Sequence, residues 1–373
     1  MMLGNAARHQ VESLLSHAGV RVNGNGPADV RVSDARFFDR VLSGGILGLG
    51  ESYMDGWWHT DDLQGLLRRL IDARLGDQIR TFRERSLWLL SHMRNRQAGR
   101  RAFAVGEQHY DLGNDLYEAM LGPAMVYSCG YWRDVADLAA AQEAKLDLIY
   151  RKAGILPDMR VLDIGCGWGE GLRRASQECG AMGVGVTISH EQAEHASARC
   201  RGLPVEIRLC DYHALNERFD RIFSIGMFEH VGVKNFRAYF EVARRCLNED
   251  GLFVLHTIGG NISGNHTNAW IDRYIFPNSV IPSAAQITQA VEGLFVIEDW
   301  HNFGADYART LMAWRANFDE AWPRLSSRYD ERFRRMWHFY LDSTCANFSA
   351  RGLHVWQLVL SPSGVRGGYT AVR

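Results

Sequence analysis

No apolar run in the 373-residue sequence approaches the roughly 18 residues that crossing a bilayer requires, so nothing in it reads as a membrane span. His9, Glu12 and His17 break up the first twenty residues, which argues against a secretory leader. The seven cysteines (129, 166, 179, 200, 210, 246 and 345) are scattered, odd in number and never spaced C-x-x-C. That excludes a disulfide framework and the common structural zinc patterns, and points to a reducing compartment. Lysine is nearly missing: only Lys145, Lys152 and Lys234 stand among 42 basic residues, an imbalance read here as genomic base composition. A formal net charge of −1 gives no global field toward nucleic acid, and no nucleic-acid partner is expected. Repeats are absent too. A soluble, cytoplasmic protein is the expectation.

What is present is globular. Hydrophobic residues make up 46% of the chain and charged ones 23%, enough for a sizeable core over a length that suits two domains. Residues 1–92 read as a mostly helical N-terminal domain: turn signals at 23–27 and 43–45, an aromatic group at Tyr53, Trp57 and Trp58, and apolar positions Leu66, Leu67, Leu70, Ile71, Phe82, Leu87 and Leu90 at helical intervals. Between Arg68 and Arg101 lie ten Arg against three acids, with Phe82, Leu87, Trp88 and Met93 interleaved. Such a segment suits either an anionic lipid surface or a solvated face. It ends in an Arg-rich linker, 93–105.

From residue 106 to 373 the sequence predicts one α/β domain. Strands are expected at 160–164, 181–186, 205–209, 219–225, 251–258, 295–300 and 355–361, with helices at 190–200, 235–247, 306–322 and 326–346. Alternation of this kind gives a doubly wound, mainly parallel Rossmann-like sheet, whose ligands bind beyond the carboxyl ends of the strands.

The residues after those strand ends therefore carry the functional argument. The first strand runs into Asp163-Ile-Gly165-Cys-Gly167-Trp-Gly169, a G-x-G-x-G turn unlike the dinucleotide and P-loop patterns. An acid two residues before the first glycine suits a cationic amino group better than pyrophosphate, which points to S-adenosylmethionine (SAM). The second strand ends without an acid, leaving Thr187 and Gln192 as neutral partners for ribose hydroxyls. Asp211 and Tyr212 follow the third strand, placed for an adenine edge and face. Glu229 and His256 sit in apolar company at two further strand ends, and Cys129 lies in Tyr127-Ser-Cys-Gly-Tyr-Trp132. A carboxylate in such surroundings is either neutralised or functional. Without paired ligand spacing, no metal is expected.

These residues in this order carry a resemblance. The segments 108–115, 127–132, 161–169, 226–232, 255–259 and 300–307 closely resemble the cyclopropane-fatty-acyl-phospholipid synthases, and 48–57 resembles the N-terminal domain of the bacterial enzymes. The resemblance implies a SAM-dependent methyltransferase fold that transfers a methylene to a cis double bond of an unsaturated phospholipid acyl chain. It passes through methyl transfer, a carbocation and bicarbonate-assisted proton loss. By matching, bicarbonate ligands would be the side chains of Cys129, Glu229, His256 and Tyr307 and the backbone of Ile258. SAM contacts would come from Tyr127, Ser128, Gly165, Gly167, Thr187, Gln192, Asp211 and Tyr212.

The resemblance also implies a homodimer and a peripheral seat on the inner face of the cytoplasmic membrane. Arg68–Arg101 would serve as the basic surface, with Arg324, Arg328, Arg332, Arg334 and Arg335 as a second patch. Trp270, Tyr274 and Phe276 are candidates for an acyl channel or for ordinary core. Cys345 stands one position past where the family often has a cysteine and is read as packing. The rival readings are a SAM-dependent acyl-chain methyltransferase giving a branched or methylene product, and a lipid-binding protein that retains the fold.

Overall fold

A computed structural model describes residues 2–75 and 113–373 of the chain. These fall into two compact units. Among the described residues no helix is long and apolar enough to cross a membrane.

One unit comprises residues 2–75, 266–277 and 311–352 of the described chain. It holds α1 (Met2–His17), α2 (Arg36–Met54), α3 (Leu63–Asp72) and a minimal antiparallel pair, β1 (Arg31–Val32) with β2 (Trp58–His59). The Asp62 side chain caps α3 by accepting the Gly65 N–H, and Leu63, Leu66 and Leu67 form its buried stripe. Trp58, wholly buried, stacks against Phe37 and Tyr53 and donates its indole N–H to Leu49 O.

Later segments complete this unit, in contrast to the contiguous N-terminal domain expected at 1–92. Trp270 and Tyr274 lie on a short helix (Ala269–Tyr274), where Trp270 packs on Phe339 and leaves no room for a Cβ at Gly50, 2.4 Å away. Phe276 meets Tyr340. Trp270 is core of the helical unit, and Tyr274 and Phe276 are half-buried beside it. Of the second basic patch, Arg332 pairs with Asp55, Arg334 with Glu331 and Asp319, and Arg335 donates to Tyr53 O and Trp58 O. Those three charges are partnered within the unit, while the Arg332 side chain stays half exposed. Cys345 is buried and accepts from Gln64 at 3.1 Å, as packing requires. Of the basic segment, residues 76–101 lie outside the described residues, as does the linker.

The other unit comprises residues 113–265, 278–310 and 353–373. After α4 (Asn114–Leu121) and α5 (Leu138–Ala153) come β3 (Arg160–Ile164), α6 (Glu170–Cys179), β4 (Met182–Thr187), α7 (His190–Arg199), β5 (Val205–Leu209) and β6 (Phe219–Ile225). Then follow α8 (Phe236–Cys246), β7 (Leu247–Gly260), α9 (Ala284–Val291), β8 (Val296–Asn302), the start of α10 (Ala305–Leu325) and β9 (Leu353–Ser361). The seven strands stand in the order β5-β4-β3-β6-β7-β9-β8. All are parallel except β9, antiparallel to β7 and β8.

Side chains alternate across this sheet as the pleat demands. Leu162 and Ile164 face a cluster with Phe228, Phe236, Tyr239 and Phe240, while Val161 faces Ile149, Leu172 and Phe223 on the other side. Each such fully buried aromatic or aliphatic side chain contributes on the order of 2 kcal/mol. The strand order reverses between β3 and β6, and the crevice so formed opens at their carboxyl ends.

Candidate active site

The end of β3 supplies both the glycine turn and the acid before it. Asp163, on β3, is 3% exposed, and its Oδ1 is buried with no hydrogen-bond partner. Burial pushes its carboxyl up to about 8, an effect that the Lys145 ammonium partly offsets. Beyond it Gly165 takes φ +87°, and a Cβ there would fall 2.5 Å from Met227 Cγ. Gly167 takes φ +53° with open space where a Cβ would point. Only glycine tolerates the first position, and the second leaves backbone uncovered for a ligand.

Next to this turn, at the end of β4, Thr187 donates to Gln192 Oε1 at 2.9 Å. Ser189 caps α7 by accepting the Gln192 N–H, so Gln192 is held by both side chain and backbone. Asp211 accepts from the His213 N–H and ring, and Tyr212, 9% exposed, stacks on His213. Tyr127 is half-buried, with its ring 5.4 Å from that of Tyr117. An orphaned buried carboxyl oxygen on the strand that runs into the glycine turn, with neutral hydroxyl and amide groups at the next strand end, fits the ammonium, ribose and adenosine of SAM.

A second group lies at the ends of β6 and β7. Glu229, 5% exposed on a short turn after β6, accepts the Ile258 N–H at 2.6 Å through Oε1, while Oε2 is buried and unpartnered. Burial pushes this carboxyl up to about 7, against the pull of the Ile258 N–H. The backbone of Ile258 was expected to meet a bound anion directly. In the structure its N–H is donated to Glu229 Oε1.

His256, wholly inside the sheet, sits opposite Gln357, whose Nε2 lies 3.3 Å from Nδ1. With the amide so oriented Nδ1 accepts, which places the ring proton on Nε2. Burial and two nearby lysines hold this imidazole neutral, well below its ordinary pKa. Cys129 is fully buried, and desolvation keeps it a thiol. Tyr307, buried on α10, lies between Asp306 and Thr310, which grip the chain around Cys129. Asp306 accepts the Trp132 N–H at 2.7 Å, and Thr310 accepts the Gly130 N–H at 3.1 Å and the Trp132 indole at 2.8 Å. Phe303 lies edge-on to both His256 and Tyr131.

Residues 97–358 match the family described as mycolic acid cyclopropane synthetase. The chain belongs to that family. Within it, this chain is 50% identical to the cyclopropane-fatty-acyl-phospholipid synthase of Escherichia coli (strain K12) over 361 residues, 96% of this chain and 94% of the relative. It is 34% identical to a tuberculostearic acid methyltransferase of Mycobacterium tuberculosis, covering 87% of this chain and 81% of that one. Among solved structures it resembles a mycolic acid cyclopropane synthase complexed with SAH and CTAB, with a TM-score of 0.64 and 31% identity over 69% of this chain and 97% of that one. The chain is thus a SAM-dependent enzyme on a methyltransferase fold.

Sequence reasoning missed two residues of this site. Lys145 is fully buried, and its Nζ donates to Ser128 Oγ at 2.9 Å. Gln142, 2% exposed, donates to Ser128 O at 2.8 Å. The signal for Lys145 was present: in a chain that uses Arg almost everywhere, the few lysines are the exceptions to explain.

Proposed function

We propose that this chain is a cyclopropane-fatty-acyl-phospholipid synthase, which transfers the methyl carbon of SAM to a cis double bond of an unsaturated phospholipid acyl chain and closes it into a ring. One observation carries the reading: Glu229, buried with one oxygen fixed by Ile258 and the other unpartnered, beside a glycine turn suited to SAM. The name borne by the Escherichia coli relative supports the substrate class.

The chemistry accounts for the residues. An alkene is neutral, so no base is needed before it attacks the sulfonium methyl. As the new carbon–carbon bond forms, the sulfur–carbon bond breaks and its electrons stay on sulfur. The adjacent alkene carbon is left cationic. Water would quench it, so the surroundings must be dry, with aromatic faces and carboxyl oxygen to stabilise positive charge. Glu229 and Phe303 are buried groups of that kind. Loss of a proton from the new methyl then supplies the electron pair that closes the ring.

Bicarbonate, when bound, would supply a compact anionic base. Cys129, Glu229, His256 and Tyr307 would hold it, with Ile258 aiming Glu229. A thiol, a neutral imidazole with its proton on Nε2 and a phenol are donors, and Glu229 would orient the ion and stabilise the positive charge beside it. This donor set suits an anion.

Access to acyl chains in a bilayer supports a peripheral seat on the inner face of the cytoplasmic membrane, with Arg68–Arg101 as the basic contact. A homodimer is part of the same reading. The test uses SAM carrying a fully deuterated methyl group and vesicles of unsaturated phospholipid. Ring closure leaves all but one of the methyl deuteriums in the acyl product. A methyl-branched product that keeps all of them would establish the rival methyltransferase, and unlabelled lipid would leave the chain without this activity.

A further inference from the structure

Only three lysines stand among 42 basic residues, and two of them, Lys145 and Lys152, are wholly buried. Lys152 has an evident task, pairing with Asp299 at 3.5 Å beside His301. Lys145 faces a hydroxyl instead. Its Nζ donates to Ser128 Oγ, and burial pulls its ammonium down to about 7, an effect that the carboxyl groups of Asp163 and Glu170 partly offset. Burying an ammonium to hold one serine is a costly arrangement unless the serine's position matters.

The same face of α5 supports the point. Gln142, one turn before Lys145, donates to Ser128 O at 2.8 Å and reaches Val126 O at 3.4 Å. Ala141 O accepts the Tyr131 N–H at 2.8 Å, and a Cβ on Gly130 would lie 2.9 Å from Ala141 Cβ. Ala141, Gln142 and Lys145 thus hold residues 126–131 from one side. That stretch carries Tyr127 and Ser128, assigned to SAM, and Cys129, assigned to the anion.

We propose that Lys145 and Gln142 are positioning residues for SAM: they clamp Ser128 by its side chain and its backbone, and so set the wall of the SAM pocket. The inference rests on the SAM site of the proposed function and on no property of the acyl substrate. Ammonium suits this place better than guanidinium, because one hydroxyl needs a single compact donor and a planar fork would leave N–H groups unpaired.

The experiment is calorimetric titration of the whole protein with S-adenosylhomocysteine. Lys145→Met keeps the length of the side chain and removes a buried charge, so the melting temperature should hold or rise. Its affinity should fall on the order of tenfold to a hundredfold, the range for losing a hydrogen bond from a charged donor. Lys145→Gln, which keeps a donor, should recover most of that loss. In a Ser128→Ala background, Lys145→Met should change affinity by less than about threefold, since the partner is already gone. In turnover, the KM for SAM should rise by a larger factor than kcat falls.

Normal affinity in folded Lys145→Met, or fully multiplicative effects of Lys145→Met and Ser128→Ala, would overturn the assignment. Should Lys145→Met not fold, Gln142→Leu is the second route, with weakened binding expected and normal binding contradicting the clamp. Binding of S-adenosylhomocysteine needs no lipid. A chain that behaves as predicted here yet forms no cyclopropane would refute the proposed function and leave the clamp standing.

Discussion

Glu229 and Ile258 are joined by a 2.6 Å hydrogen bond that fixes one carboxyl oxygen and leaves the other buried without a partner. The turn after β6 is thereby locked to β7, and the free oxygen has a defined direction. A side chain held in this way does not reorganise when charge develops beside it, which is how electrostatic stabilisation gains most.

Replacing it tests this at once. Glu229→Gln keeps the shape and an acceptor for Ile258 but removes the negative charge. The account predicts unchanged affinity for S-adenosylhomocysteine and a drop in product formation of about a hundredfold or more. Turnover assays beside calorimetry check both halves, and near-normal turnover would remove Glu229 from the chemistry.

The same substitution should stabilise the fold at high pH. Burial raises the Glu229 carboxyl from 4.5 to about 7, so between those values the folded state binds a proton that the unfolded state has lost. Stability from this group is therefore complete below pH 4.5 and declines as pH rises toward 7. Glutamine has nothing to ionise. At pH 8 Glu229→Gln should exceed the parent by up to about 3 kcal/mol, and below pH 4 the difference should vanish. Urea unfolding at the two pH values measures it.

Gly165→Ala should damage SAM binding. Its φ of +87° is unfavourable to alanine, and the new Cβ would lie 2.5 Å from Met227 Cγ and 2.7 Å from its Cβ. Relief requires moving the turn itself. A loss of about 1–3 kcal/mol in stability and a more than tenfold weaker S-adenosylhomocysteine complex are expected. Calorimetry and thermal melting read the two effects, and a variant that binds normally would contradict the cradle.

Thr310→Val removes the oxygen that accepts both the Gly130 N–H and the Trp132 indole N–H. Two buried donors would then lack partners, at a cost of about 1–3 kcal/mol each. The melting temperature should fall, and turnover with it, because Cys129 precedes Gly130. Thr310→Ser, which keeps the oxygen, should restore most of both.

Strand positions were legible because period-two and continuous apolar runs ended at turn residues, Gly165 after β3, Asp211 soon after β5 and Gly226 after β6, and all three strands fall where the sequence places them. The turn Asp163–Gly169 and the strand-end residues Glu229 and His256 were legible for the same reason, since strand order alone puts them on one edge. The partner of each amphipathic helix was not. Periodicity shows that residues 331–349 have an apolar face, but nothing in it says that Phe339 packs on Tyr53 of α2 and Cys345 meets Gln64 of α3 in the helical unit. Nor does a sequence show which backbone N–H a carboxyl group will take, so the Ile258–Glu229 bond was missed. Lys145 was missed because a uniform explanation was given for the shortage of lysine, when the informative residues were the exceptions.

The most direct measurement is of the lipid itself. Phospholipid vesicles with cis-unsaturated acyl chains are incubated with the protein and SAM, and the fatty acids are analysed by mass spectrometry and proton resonance. The account predicts a mass gain of one CH₂ per modified chain, loss of the alkene signal and the appearance of cyclopropane protons. The same gain with the alkene retained or shifted would contradict ring closure, and no gain at all would contradict the synthase reading.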